Sequence, residues 1–187
     1  MNQDGMTLNK KAWYRYMARS IDITIGALFI SLIFGILIAI VMLITNNFME
    51  LSVDFLSTIP EFILGTVSVA LYLIIEASMF SSFKTTLGKK IFGITLTDTH
   101  NEPLTFNVAL KRNFLLFFKG LALALPLLSM LTMIISYQNY TDKGVTSWDE
   151  DCETLVHFKP ISELRAVGAI LFFIVIVVLK VYLVRGV

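Results

Sequence analysis

The chain has 187 residues, 56% of which are hydrophobic, and its mean hydropathy is +0.77. Soluble domains are typically about 45 to 50% apolar, so the composition indicates an integral membrane protein. The net charge of +1 provides no global basic field and argues against nucleic acid as a partner. Cys152 is the one cysteine, which excludes an intramolecular disulfide.

The apolar residues gather into four blocks, at residues 21–45, 62–80, 113–137 and 166–184. A helix needs about 20 residues to cross a bilayer, and only helices satisfy the backbone of such segments in lipid. The blocks therefore predict an all-α integral membrane helical bundle with three to four hydrophobic helical segments. We divide the chain into a segment 1–20, a membrane domain 21–160 and an additional C-terminal transmembrane helix within 161–187.

Residues 1–20 are predicted to form a cytoplasmic interfacial segment that leads into an uncleaved first span. Four cations precede the first block, with aromatic residues among them: Lys10, Lys11, Arg15 and Arg19. Aromatic rings beside basic residues favour the headgroup region of a bilayer. Residues 81–112 carry five more Lys or Arg, whereas loop 46–61 has only acidic charges. The excess of cations predicts that the N-terminus and residues 81–112 are cytoplasmic and that loop 46–61 is outside.

The loop after the second block also contains strand patterns. Ile94 and Leu96 alternate with threonines, and residues 154–158 (TLVHF) are again typical of a strand. These two segments can pair into a small cytoplasmic β-layer only if both lie on one side of the membrane. Between them, Thr105 is placed to cap a helix that starts near Asn107.

The third block, 113–137, leaves two alternatives open. It is long enough to span once, but it contains Lys119, and Pro126 near its centre removes a backbone hydrogen bond. A broken, re-entrant hairpin is tolerated where it packs against protein. The two alternatives place the residues after the block on opposite sides of the membrane.

Charged residues within the blocks are candidate functional residues, because ionisable groups in a membrane are costly. Arg19 and Asp22, at i and i+3, are expected to pair directly. Glu76 has no cation within one turn of its helix and is expected to exchange protons near neutral pH. Asp22, Glu76 and Lys119 are predicted to lie at similar depth in the cytoplasmic leaflet. The same charges also suit a neutral network that only fixes helix register.

Small and polar residues form matching stripes on the first two blocks. One stripe contains Gly65, Ser68, Tyr72 and Glu76, and the other contains Arg19, Asp22 and Gly26. Small residues let helices approach closely, so we expect the two stripes to face each other.

Motifs of catalytic or metal chemistry are not recognisable in the sequence. The turn at Thr86, Gly88 and Lys89 lacks the first glycine of a nucleotide-binding loop and the Ser or Thr after its lysine. We interpret it as a turn that contacts lipid headgroups. His100 and His157 have no cysteine or carboxylate at ligand spacing. The expectation is a protein that is not an enzyme and has no metal or other cofactor.

Four ordered motifs resemble the RDD family of small bacterial membrane proteins. They are AWYRYMARSIDITI, TTLGKKIFGITLTD, NEPLTFNVALKRN and TSWDED followed by a strand. The family is named for an arginine and two aspartates, which correspond here to Arg19, Asp22 and Asp149. The T-x-G-K motif of the family matches Thr86, Gly88 and Lys89. The chain departs from the family at Trp148, where a histidine is usual.

The resemblance implies a multi-pass protein of the bacterial cytoplasmic (inner) membrane, with the lipid bilayer as its environment. It also implies transport, since cation/proton antiport has been proposed for some members. The leading hypothesis is a transporter or transport accessory with Asp22 and Glu76 as its proton or cation site. Arg19, Lys119 and Asp149 would form the surrounding charge network.

The alternative is a non-catalytic scaffold, assembly or immunity-type partner that acts through helix contacts. No inverted repeat is detectable, which counts against a self-contained transporter. A homo-oligomer or a membrane-protein partner would then complete the transport path across the membrane.

Overall fold

The computed structural model describes residues 5–44 and 60–185. Its helices are α1 (Leu8–Ile44), α2 (Glu61–Phe83), α3 (Leu87–Ile91), α4 (Phe106–Leu115), α5 (Pro126–Lys143), α6 (Ser147–Glu150) and α7 (Glu163–Arg185). Its strands are β1 (Ile94–Thr97) and β2 (Leu155–Phe158). Most of the predicted outer loop, residues 46–59, lies outside the described residues.

Among the described residues, two helices are long and apolar enough to cross a membrane: α1 over Leu8–Val41 and α2 over Phe62–Phe83. Large apolar side chains such as Leu32 and Phe34 on α1 are exposed, as a lipid-facing surface requires. The predicted interfacial segment and the first span form one uninterrupted helix. Helix α7 also exposes apolar residues, among them Phe172, and its crossing of the membrane stays a prediction.

The third block is broken, as one of the two alternatives predicts. Helix α4 continues into a π-helical turn, Leu116–Gly120, after which the backbone leaves helical geometry around Leu123, whose φ is 61°. Pro126 begins α5, where its missing N–H costs no hydrogen bond. The prediction of a single straight span is therefore wrong, because the helix breaks before Leu125 and a new helix begins at Pro126.

The predicted pairing of the two strands is confirmed. Strands β1 and β2 are antiparallel, with Ile94 opposite Phe158 and Thr97 opposite Leu155. Both ends of the third block therefore lie on the same side of the helices. Which side of a membrane this is remains a prediction.

The apolar core lies where α1, α2, α4 and β1 meet. Its fully buried members include Ala18, Ala77, Phe80, Leu96 and Ala109. Two of these residues are alanines on the long helices, so α1 and α2 pack closely at this end. The buried charges lie beside this core.

Candidate functional site

One face of α1 carries the charges on which the site is built. Arg15, Arg19, Asp22 and Gly26 follow each other at spacings of four, three and four, so they form one stripe. A Cβ on Gly26 would lie 2.0 Å from the ring of Tyr72. The prediction that the stripes of α1 and α2 meet is confirmed at this contact. Gly65, at the end of the second stripe farthest from Glu76, has no packing neighbour near its Cβ position in the part of the chain that the structure describes.

Asp22 binds the N-terminal end of α3. Its carboxylate accepts a hydrogen bond of 2.6 Å from the Thr86 hydroxyl and another of 2.6 Å from the Gly88 backbone N–H. Asp22 thereby supplies an acceptor at the start of α3 from a distant helix, in the way an N-cap side chain does. A Cβ on Gly88 would lie 2.3 Å from the carbonyl oxygen of Ala18. Thr86, Gly88 and Lys89 are buried, so the interpretation of these three residues as a headgroup contact is wrong.

Glu76 lies between two cations from other elements. Arg19 Nη1 donates to its Oε2 at 2.6 Å, and Lys89 Nζ donates to its Oε1 at 2.7 Å. Glu76 has no cation within one turn of its own helix, and its partners come from α1 and α3 instead. Arg19 is a predicted neighbour, whereas Lys89 takes the place predicted for Lys119. The direct pair expected between Arg19 and Asp22 is wrong, since the long arginine side chain reaches across to α2.

Lys89 connects the two carboxylates. Its ammonium lies 2.7 Å from Glu76 and 3.4 Å from Asp22, and also 4.8 Å from the centre of the Phe80 ring. Burial and the charge of Arg19 lower the pKa of Lys89, although Glu76 and Asp22 oppose the shift. We name these residues the Lys89 cluster: Arg19, Asp22, Glu76, Thr86 and Lys89. The charges of its two cations and its two carboxylates cancel.

A second buried group surrounds Asp149 on α6. Arg112 Nε donates to its Oδ1 at 2.7 Å, Arg15 donates to its Oδ2, and the hydroxyls of Thr146 and Thr154 donate at 2.6 and 3.1 Å. Burial opposes the charge, but Arg112 and Arg15 hold the pKa of Asp149 well below its usual range. These five residues are the Asp149 cluster, in which two guanidiniums face one carboxylate.

The predicted charge network is only partly correct. Asp149 is buried and paired, but with Arg15 and Arg112 instead of Arg19. Lys119 belongs to neither cluster: it pairs with Asp151 at the surface, where the two side chains are 48% and 41% exposed. Sequence reasoning missed Arg15 and Arg112, although Arg15 lies one turn before Arg19 on the same stripe.

A cavity of about 580 Å³ lies against both clusters. Its lining includes Arg15, Arg19, Lys89 and Arg112, together with apolar side chains of α1 and α5. Arg19 and Lys89 both contact the cavity and a carboxylate of their cluster, but Lys89 contacts both Asp22 and Glu76. Within the described residues, no group of three or more His, Cys, Asp or Glu could hold a metal ion.

The apolar helices, with buried charges at one end of them, define a membrane protein that contains a buried polar site. The RDD family model matches residues 10–180, and the chain belongs to the RDD family. The motif residues meet in the structure: Asp22 binds Thr86, Gly88 and Lys89, while Arg19 and Asp149 take part in adjacent clusters. No curated protein and no solved structure matches the chain.

Proposed function

We propose that this chain is a small, non-enzymatic transporter or transport accessory that handles protons or a monovalent cation. The observation that supports the proposal is the position of Lys89, whose ammonium bridges Asp22 and Glu76 at the wall of the cavity. A buried ammonium between two carboxylates occupies the place that a small cation would take. Its lowered pKa favours release of a proton from the same place.

The exchange would keep the cluster neutral. When Lys89 loses its proton, the two carboxylates retain only Arg19 as a cation, and one negative charge is uncompensated. Oxygen atoms of Asp22, Glu76 and Thr86 lie around the ammonium at 2.7 to 3.4 Å, and oxygen ligands suit hard cations. A monovalent cation bound there restores neutrality, and a proton returning to Lys89 expels it. Asp22 and Glu76 thus become the ligands, and Lys89 the titrating group.

The test is flux through purified protein in proteoliposomes. We expect a Na⁺ or K⁺ gradient to drive proton movement, with a rate that rises as pH increases toward the pKa of Lys89. Lys89→Met and Glu76→Gln should abolish this flux. Lys90→Met is the matched control, because the neighbouring Lys90 side chain is exposed and lies outside the cluster. Absence of any flux in the wild type, or full flux in Lys89→Met, would contradict the proposal.

The alternative is a scaffold or assembly partner, which would use the lipid-facing surface instead. Gly35, Gly65 and Gly168 are exposed on three different helices, and no packing neighbour among the described residues lies within 4 Å of their Cβ positions. Small exposed residues permit close approach of a helix from another copy or another protein. If wild-type protein carries no flux and Gly65→Leu disrupts an oligomer seen by crosslinking, the scaffold function replaces transport.

We also propose a multi-pass topology in the bacterial cytoplasmic membrane with the clusters on the cytoplasmic side. The excess of Lys and Arg in residues 8–20 and 81–112 supports this orientation. In a Cys152→Ser background, single cysteines at Lys90, Lys143 and Lys159 should resist an impermeant thiol reagent in intact cells. Labelling of all three from outside would reverse the orientation.

A further inference from the structure

The cavity between α1 and α5 has an uneven charge. Its lining includes four cations, from Arg15, Arg19, Lys89 and Arg112, and no carboxylate among the described residues. The carboxylates that balance these cations are Asp22, Glu76 and Asp149, which lie behind them. Three carboxylates face four cations, so one positive charge has no counterpart in the two clusters. A buried excess charge is costly unless an ion of opposite sign joins it.

A residue that lines the same cavity carries an unused hydrogen-bond donor. Trp148 lines it and is only 7% exposed. Its indole Nε1 is buried and has no hydrogen-bond partner in the part of the chain that the structure describes. Buried indole N–H groups usually have an acceptor. The excess positive charge and the free donor both favour an anion with hydrogen-bond acceptors.

The rest of the cavity wall is mostly apolar, and part of it is exposed. Met130 and Ile134 of α5 line it and are exposed, as is Trp13 of α1. A small inorganic anion would leave these surfaces without a partner. An anion that carries a hydrocarbon chain would contact the cations with one end and the apolar wall with the other.

We propose that this cavity binds an anionic phospholipid. The phosphate contacts the guanidinium groups and the indole N–H, and the first part of an acyl chain lies along α5. The volume of about 580 Å³ suits a headgroup and part of one chain, since ligand pockets span roughly 300 to 1,000 Å³. The remaining hydrocarbon stays in the bilayer. This site does not depend on the proposed transport function.

Tryptophan emission provides a direct measurement, because both tryptophans of the chain, Trp13 and Trp148, line the cavity. In Trp13→Phe, delipidated in a neutral detergent, Trp148 is the sole reporter. Dioctanoyl phosphatidylglycerol should change its emission saturably, whereas dioctanoyl phosphatidylcholine and inorganic phosphate should not. An equal response to phosphatidylcholine would overturn the role of charge. An equal response to inorganic phosphate would overturn the lipid and leave a simple anion site.

Variants of the Trp13→Phe protein test the two ends of the site. Arg15→Gln removes the excess charge and should weaken phosphatidylglycerol binding about tenfold or more. Lys10→Gln is its control, because Lys10 lies on the same helix but outside the cavity lining and pairs with Glu163 at the surface. Binding by Arg15→Gln as tight as that of the control would overturn the proposal.

Because Arg15→Gln also removes an ion pair, a second variant leaves the charges unchanged. Ser136 lines the cavity, and Ser136→Phe fills part of it, so binding should fall. Ile135→Phe places the same side chain on a neighbouring position of α5 that is exposed and does not line the cavity. It should bind as the parent does. Undiminished binding in Ser136→Phe would show that the lipid binds elsewhere.

Discussion

The two buried clusters contact the same face of α1 but differ in net charge and in the type of cation that they contain. The Lys89 cluster has two cations for two carboxylates, and one cation is an ammonium on a flexible chain. The Asp149 cluster has two guanidiniums for one carboxylate. Lysine changes its protonation state readily when buried, whereas arginine stays charged. The comparison indicates that the first cluster contains a group that can change its protonation state, whereas the charges of the second are fixed.

The contacts of Asp149 show why it is fixed. Its two oxygens accept from Arg15 of α1, Arg112 of α4, and the hydroxyls of Thr146 and Thr154 on either side of α6. An ionised carboxylate has about four acceptor positions, and here each has a donor. The cluster therefore ties α1, α4 and α6 together, while the excess charge it leaves faces the cavity.

The largest effect is expected from Asp149→Asn. Without its negative charge, two buried guanidiniums lose their counter-ion, and breaking a buried pair typically costs about 3 to 5 kcal/mol. Thermal unfolding in detergent should show a strong loss of stability or of folded yield. Glu150→Gln is the control, since Glu150 is exposed. Equal stability of the two variants would mean that Asp149 does not hold the helices together.

This prediction also has a pH dependence. The pKa of Asp149 is lowered on folding, so its contribution to stability is complete above the unfolded value of about 3.9 and is lost as pH falls further. The stability difference between wild type and Asp149→Asn should stay constant from neutral pH down to about 5. It should narrow below about 4. A difference that already vanishes near neutral pH would contradict the paired carboxylate.

Double-mutant cycles separate the pairs within the Lys89 cluster. Arg19→Ala and Glu76→Ala should couple by about 1 to 3 kcal/mol, because each single variant leaves a buried charge without its partner. Asp22→Ala should couple strongly with Lys89→Ala and more weakly with Arg19→Ala. Unfolding of the single and double variants in detergent provides these energies. If Arg19 couples more strongly to Asp22 than to Glu76, the expected i, i+3 pair replaces the observed one.

Much of the fold could be predicted from local patterns. The alternation at Ile94 and Leu96 predicts β1, and Pro126 marks the break in the third block. Thr105 caps α4 through the backbone N–H of Val108, as its position predicts. Each of these signals depends on a few neighbouring residues, so the sequence contains all the information that they need.

The pairing of charges could not be predicted in the same way. Asp22 and Gly88 are 66 residues apart, and Arg112 and Asp149 are 37 apart. The prediction of similar depth grouped Asp22, Glu76 and Lys119. Asp22 and Glu76 do share a partner, Lys89, but Lys119 lies in the π-helical turn and pairs at the surface. Depth alone does not show which way a side chain points, and the i, i+3 spacing favoured a local pair over the long-range one.

A smaller difference in stability is expected between alanine variants of two glycines. Gly88→Ala would place a methyl group against the Ala18 carbonyl at 2.3 Å, and such overpacking costs about 1 to 3 kcal/mol. Gly65→Ala meets no packing neighbour within 4 Å among the described residues and should be neutral, or stabilising by up to about 1 kcal/mol through helix propensity. Thermal unfolding of both variants tests this contrast. Equal stability of the two variants would show that α3 does not pack tightly against α1 at Gly88.

The smallest effect is expected at Lys119, which separates a surface pair from the two clusters. Its partner Asp151 and its own side chain are each almost half exposed, and exposed ion pairs contribute about 1 kcal/mol or less. Lys119→Met should therefore change stability by less than about 0.5 kcal/mol, and raising the salt concentration should reduce even that. In a cycle with Glu76→Gln it should show no coupling. Coupling between Lys119 and Glu76 would support the predicted charge network, because an energetic coupling requires the Lys119 ammonium to reach the buried carboxylate.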